Sequence, residues 1–129
     1  MDTAGVVYGV CVREWFSAAL KVEGSTRRSG GLHGHDYLVE VCVESEDLDK
    51  GFVVDHYLLR SLLRSCIEPL DHRLLNDVVE PPTTENIATY VMKCVNGALA
   101  ESEVAGRRVR MVRVCTGDML CGYVVTPRS

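Results

Sequence analysis

No run of apolar residues approaches the roughly 20 needed to span a bilayer, and Met1-Asp2-Thr3 lacks the basic start and long apolar segment of a secretory signal. No membrane partner is expected, and the chain is expected in the cytoplasm. Basic residues are sparse too. Their only clusters are Arg27-Arg28 and Arg107-Arg108 with Arg110, on a chain of formal net charge −4. A stripe that tracks phosphates needs more than this, so nucleic acid is not an expected partner. Internal repeats, low-complexity tracts and linkers are absent, as is any C-x-x-C pair.

What remains is an ordinary globular composition. With 129 residues, 47% hydrophobic and 25% charged, the chain suits one domain, residues 1–129, that buries roughly two-thirds of its unfolded surface. Such a core folds without staples. The six cysteines (Cys11, Cys42, Cys66, Cys94, Cys115, Cys121) sit mostly within apolar periodic segments. They read as buried, reduced thiols, with a disulfide left open for a hyperthermophilic source.

Val6 to Ala19, rich in Val, Tyr, Cys, Trp and Phe, reads as a first strand. Glu23 to Gly31 is too rich in Gly and Ser for regular structure and reads as a loop. From Leu32 to Glu44 the residues alternate. His33, His35, Tyr37, Val39, Val41 and Val43 share one face, with Leu38, Glu40, Cys42 and Glu44 on the other. Ser45 to Gly51 is expected to close the first hairpin, and Asp55 to cap a helix.

That helix carries Leu58, Leu59, Leu62, Leu63, Cys66 and Ile67 at helical spacing and stops at Pro69. A second begins after Pro81-Pro82, with Thr83 or Thr84 as cap, Glu85 in its first turn, and Ile87, Val91, Cys94, Val95, Ala98 and Leu99 as its apolar stripe. Val109 to Thr116 and Gly122 to Thr126 read as two more strands around a Gly117-Asp118 turn. The slip in alternation between Arg110 and Arg113 predicts a bulge or a charged sheet face. The expected fold is α+β, ordered strand, strand, helix, helix, strand, strand. Its antiparallel four-stranded sheet would leave two open edges for self-association.

Two imidazoles two residues apart on a strand, His33 and His35, lie about 6.5–7 Å apart along the chain, within reach of one metal ion. Around them stand further landmarks in order: Phe16-Ser17-Ala18-Ala19, Leu32-His33-Gly34-His35 with Tyr37, and Gly51-Phe52-Val53-Val54-Asp55. Then come Leu70-Asp71-His72 with Leu75-Asn76, Pro82-Thr83-Thr84-Glu85-Asn86-Ile87-Ala88, and Cys115-Thr116 with Tyr123. Together they resemble the 6-pyruvoyl-tetrahydropterin synthase family, including the bacterial 6-carboxytetrahydropterin synthases of queuosine biosynthesis, over almost the whole chain.

The resemblance implies a tunnelling fold whose subunits join edge to edge into an oligomeric barrel, as a trimer or hexamer, with active sites between subunits. It implies zinc held by three histidines. His33 and His35 match two of them, but Leu20 stands at the first position, and an aliphatic side chain has no lone pair to donate. A replacement would have to come from His56 or a neighbouring subunit.

The resemblance also implies a catalytic cysteine activated by an Asp-His pair. Asp71 and His72 match the pair, while Ser29 takes the cysteine's place, and an alkanol is far harder to ionise than a thiol. Ser29, His72 and Asp71 do not read as a hydrolase triad, because a Gly-rich loop offers no rigid nucleophile or oxyanion hole. For ring recognition, Thr83, Thr84, Glu85 and Thr116 match the family's binding segments, whereas Cys115 replaces the glutamate that anchors the pterin. A thiol cannot accept the two charge-assisted bonds a carboxylate accepts.

The implied function is a divergent family member that lacks standard catalysis and keeps an inter-subunit cleft for a pterin- or purine-like ring. The alternative is an active zinc-dependent lyase acting on dihydroneopterin triphosphate with compensating residues not identified among these positions.

Overall fold

Period-two alternation builds the longest elements. The computed structural model describes residues 5–22, 31–102, 104 and 106–128. In it β1 (Tyr8–Leu20) and β2 (His33–Ser45) pair antiparallel over their full 13-residue lengths, from Tyr8 opposite Ser45 to Leu20 opposite His33. β3 (Arg108–Thr116) pairs with β2, and β4 (Cys121–Val125) with β3, giving one antiparallel sheet of order β1-β2-β3-β4. The expected bulge is present. The register passes from Cys42 opposite Met111 to Val43 opposite Val109, which leaves Arg110 as the additional residue.

Between the hairpins lie α1 (His56–Ile67) and α2 (Thr84–Glu101). Asp55 starts α1 by accepting the backbone N–H groups of Tyr57 (2.8 Å) and Leu58 (3.1 Å). Thr83, not Thr84, caps α2 through the N–H of Asn86 at 3.2 Å. Leu59, Leu63 and Ile67 of α1 and Ile87, Val91, Val95 and Leu99 of α2 bury against Val39, Val41, Val43, Val112 and Val114 of the sheet. Among the described residues, no helix covers the other sheet face. There Glu40 accepts hydrogen bonds from Arg13 (2.6 Å) and Arg113 (3.0 Å), so the charged face expected near Arg113 exists as well.

Three expectations are corrected. Residues 45–51 do not close the first hairpin, whose two strands are joined through residues 21–32. They form a separate turn in which Asp49 and Phe52 exchange backbone hydrogen bonds ahead of α1. The β1 edge is not fully open either, because residues 71–76 are stitched along its C-terminal half. Ser17 N–H donates to Asp71 Oδ1 (3.0 Å), Ala19 N–H to the Arg73 carbonyl (3.0 Å) and Lys21 N–H to Asn76 Oδ1 (2.9 Å).

The cysteines are not free thiols. Cys11 pairs with Cys42, Cys66 with Cys94, and Cys115 with Cys121. The reason is register. Cys11 and Cys42 face each other across β1 and β2, and Cys115 and Cys121 across β3 and β4, with Cα separations of 4.1 and 4.0 Å. Cys66 and Cys94 tie α1 to α2.

Candidate functional site

His33 and His35 project from β2 toward the helix-bearing side of the sheet. Their rings meet edge to face with centroids 4.8 Å apart, and His35 in turn meets Tyr37 at 5.7 Å. Tyr37 is almost wholly buried and stacks on Phe16 at 4.9 Å, and burial pushes its hydroxyl pKa up to about 12. This stack holds the strand end that carries the histidines. His33 Nδ1 lies 2.5 Å from the Gly31 carbonyl. A carbonyl only accepts, so Nδ1 carries the proton and Nε2 keeps its lone pair.

The donor set does not fit the family's zinc. Leu20 lies directly opposite His33 and is buried at 5% exposure, so an isobutyl group, which has no lone pair to donate, stands beside the imidazoles. His56, at the start of α1, does not join the pair, and the described residues contain no cluster of three or more His, Cys, Asp or Glu positioned for a metal. A zinc centre with three protein ligands is not assembled by the described residues of this subunit.

The Asp71–His72 pair, by contrast, is fully built. His72 Nδ1 lies 3.0 Å from Asp71 Oδ1. The same oxygen accepts Ser17 N–H at 3.0 Å, and Oδ2 accepts Arg64 Nη2–H at 2.8 Å. The Ser17 amide, the Arg64 guanidinium and the neighbouring His72 hold the Asp71 carboxyl below the usual carboxylate range despite partial burial. His72 has a left-handed backbone, φ 59°, rare for a non-glycine residue, and its N–H donates to the Ser17 carbonyl at 2.6 Å.

An open cleft of about 670 Å³ at this end of β1 and β2 is lined by Ser17, His35, Asp36 and His72 among others. It brings His35 and His72, predicted for different roles, into one cleft. Ser17 Oγ–H donates to Asp36 Oδ1 there. A second cleft, about 390 Å³, lies around Glu44, Arg108 and Arg128 and contains none of the predicted site residues.

The predicted ring-binding residues lie elsewhere. Thr83, Thr84 and Glu85 open α2 over β4, and their close approach depends on Gly122. A Cβ there would fall 2.2 Å from Thr84 Oγ1 and 2.7 Å from Glu85 Oε1. Thr84 Oγ1–H donates to Glu85 Oε1 at 2.6 Å, which lowers the Glu85 pKa. Since β4 is three strand spacings from β1, this segment sits roughly 14 Å across the sheet from the strand that holds His72.

Thr116 is buried at the end of β3, opposite Tyr37, and its hydroxyl donates to Asp118. Cys115 lies opposite Leu38, on the face away from the histidines, and its sulfur is committed to Cys121. Ser29 lies outside the described residues. Sequence reasoning missed the role of Arg64, which carries no signal beyond its place on an amphipathic helix, and that of Gly122, whose meaning depends on what packs above it.

Paired imidazoles on a strand, an Asp–His turn stitched to its neighbour, and a carboxylate-bearing helix start over an antiparallel sheet define a small α+β protein of one sheet and two helices. Residues 9–121 match the family described as 6-pyruvoyl tetrahydropterin synthase. A putative 6-carboxy-5,6,7,8-tetrahydropterin synthase of Archaeoglobus fulgidus is 35% identical over 96 residues, covering 74% of this chain and 79% of the relative. A dihydroneopterin monophosphate aldolase of Pyrococcus furiosus is 45% identical over 60 residues, 46% of this chain and 52% of the relative. The structure of Caenorhabditis elegans 6-pyruvoyl tetrahydropterin synthase superposes with a TM-score of 0.72 at 20% identity, covering 94% of this chain and 96% of that one. The chain belongs to the 6-pyruvoyl tetrahydropterin synthase family, and its fold is the tunnelling fold.

Proposed function

We propose that this chain is a divergent family member that binds a pterin- or purine-like ring in a cleft between subunits of a homo-oligomer and does not carry out the family's zinc-assisted lyase reaction. The observation that carries this reading is Leu20, buried opposite His33 where a third imidazole would be needed. The inter-subunit placement is supported by the separation of Thr83, Thr84 and Glu85 from the His35–His72 cleft, since residues suited to one ligand do not converge within one subunit. Glu85, held ionised, accepts the ring's N–H donors, and Thr116 lies at the neighbouring strand end. Cys115 contributes backbone alone.

Two measurements test this. Metal analysis of protein purified without a His tag is expected to find zinc far below one per subunit, and near-unit zinc would overturn the lost-lyase reading. Titration with sepiapterin or biopterin, followed by ring fluorescence, is expected to saturate below millimolar ligand. No change at millimolar ligand would overturn ring binding.

A second reading is supported by the completeness of the Asp71–His72 pair and by the relative named as an aldolase. Here the chain cleaves a dihydropterin side chain by acid–base chemistry at His72 Nε2. With Nδ1 beside an ionised Asp71, Nε2 accepts the proton of a side-chain hydroxyl, whose O–H pair becomes the carbonyl of a departing aldehyde. The carbon–carbon bond toward the ring breaks with its electron pair passing into the conjugated ring, and the same Nε2–H returns the proton to the ring-bearing carbon. Turnover of dihydroneopterin phosphates in the presence of chelator separates this reading from pure binding.

A further inference from the structure

We infer that Arg64 is the positioning residue that fixes which ring nitrogen of His72 carries the proton. The inference rests on the reading of Asp71–His72 as a proton-transfer pair, and it concerns a residue outside that pair. Arg64 reaches from α1 with both terminal nitrogens. Nη1–H donates to the Trp15 carbonyl at 2.9 Å, and Nη2–H donates to Asp71 Oδ2 at 2.8 Å. The first bond anchors the guanidinium on β1 and the second sets the rotation of the carboxylate.

With Oδ2 taken, Oδ1 is left facing both Ser17 N–H and His72 Nδ1, each at 3.0 Å. His72 Nδ1 and Oδ1 stand at ion-pair distance without the alignment of a hydrogen bond. An ionised oxygen that close attracts a proton on Nδ1 and repels a lone pair there, which favours the Nδ1–H form and leaves Nε2 basic. The other charges facing Arg64 are arranged to leave it there. Glu14 lies 3.9 Å from Nη1, but Arg60 shares it at 3.8 Å, so the closest acceptor of Arg64's charge is Asp71. Removing Arg64 leaves Asp71 its Ser17 bond alone besides His72, free to turn about that bond, and the imidazole loses its fixed partner.

The test is long-range 1H–15N spectroscopy of histidine-labelled protein, with His72 assigned by His72→Gln and read above the pH at which the ring titrates. Wild type is expected to show His72 with Nδ1 protonated. Arg64→Met is expected to shift the ratio severalfold toward the Nε2–H form, Arg64→Lys to recover part of it, and Arg60→Met to leave it unchanged. An unchanged ratio in Arg64→Met, or an equal shift in Arg60→Met, would overturn the inference. Should Arg64→Met fold poorly, Arg64→Gln is too short to make the Trp15 and Asp71 bonds together, and a wild-type ratio there overturns the inference. No pterin is needed for this readout. A wild-type protein that fails to bind sepiapterin sinks the ring-binding reading while leaving the tautomer result to stand by itself.

Discussion

The two walls of the His35–His72 cleft are built on different principles. The His33–His35 wall is shaped by apolar packing. Phe16 and Tyr37 stack beneath it, Leu20 fills the space beside it, and the imidazoles have each other and one backbone carbonyl for company. The Asp71–His72 side is shaped by polar contacts, with two hydrogen-bond donors and a neighbouring imidazole on one carboxylate and a left-handed backbone held by Ser17. Polar constellations of the second kind cost more to assemble and tolerate fewer substitutions. One side presents two imidazoles over a packed core, and the other presents an Asp–His pair held by polar contacts. Fold and chemistry are separable within one site.

The sharpest way to break this comparison is Leu20→His. If the packed wall lacks only an imidazole, the variant should gain zinc affinity by orders of magnitude and purify with near one zinc per subunit, read by metal analysis. A variant that stays empty would show that the wall has also lost its geometry.

Cys66→Ala/Cys94→Ala comes next, because α1 carries Arg64 and the disulfide ties α1 to α2. Opening a 28-residue loop is expected to cost about 3.5 kcal/mol by loop-closure entropy, measured by denaturant unfolding. His72 resonances should broaden while those of His33 and His35 stay sharp.

On the packed wall, the Tyr37 hydroxyl pKa is raised, so its stabilisation is fully present below pH 10, the unfolded value, and is lost as pH rises through about 12. The loss is expected to approach about 2–3 kcal/mol across that window, and urea midpoints at pH 9 and 11.5 would reveal it.

On the hydrogen-bonded wall the sign reverses. The Asp71 pKa is depressed, so its contribution is present above 3.8 and lost as pH falls below that value. Asp71→Asn should therefore destabilise by about 1–2 kcal/mol at pH 7 and by much less near pH 3. Equal losses at both pH values would show that the amide's geometry, and not the charge, matters.

Much of the fold was legible because its signals are local. Alternation from Leu32 to Glu44 placed β2 and its faces, Asp55 and Thr83 were readable as caps, and the slip at Arg110 marked the bulge. What escaped needed distant partners. No spacing reveals that Cys11 and Cys42 share a register, so six reduced thiols became three disulfides, a pattern rare in cytosolic proteins outside hyperthermophiles. The cover on the β1 edge escaped for the same reason, since residues 71–76 carry no periodicity of their own. At the candidate site, Leu20, His33, His35, Asp71 and His72 were singled out through resemblance. Arg64 and Gly122 matter only through contacts made after the chain has folded.

The seam between residues 71–76 and the end of β1 is drawn by alternate amides, those of Ser17 and Ala19 in the strand and of Lys21 just past it. Three protons therefore report on one docking event, and their hydrogen-exchange rates, compared with those deep in β2, would tell whether the segment detaches by itself or only when the whole sheet melts. Detachment would part Asp71 and His72 from Ser17 reversibly, without unfolding the protein.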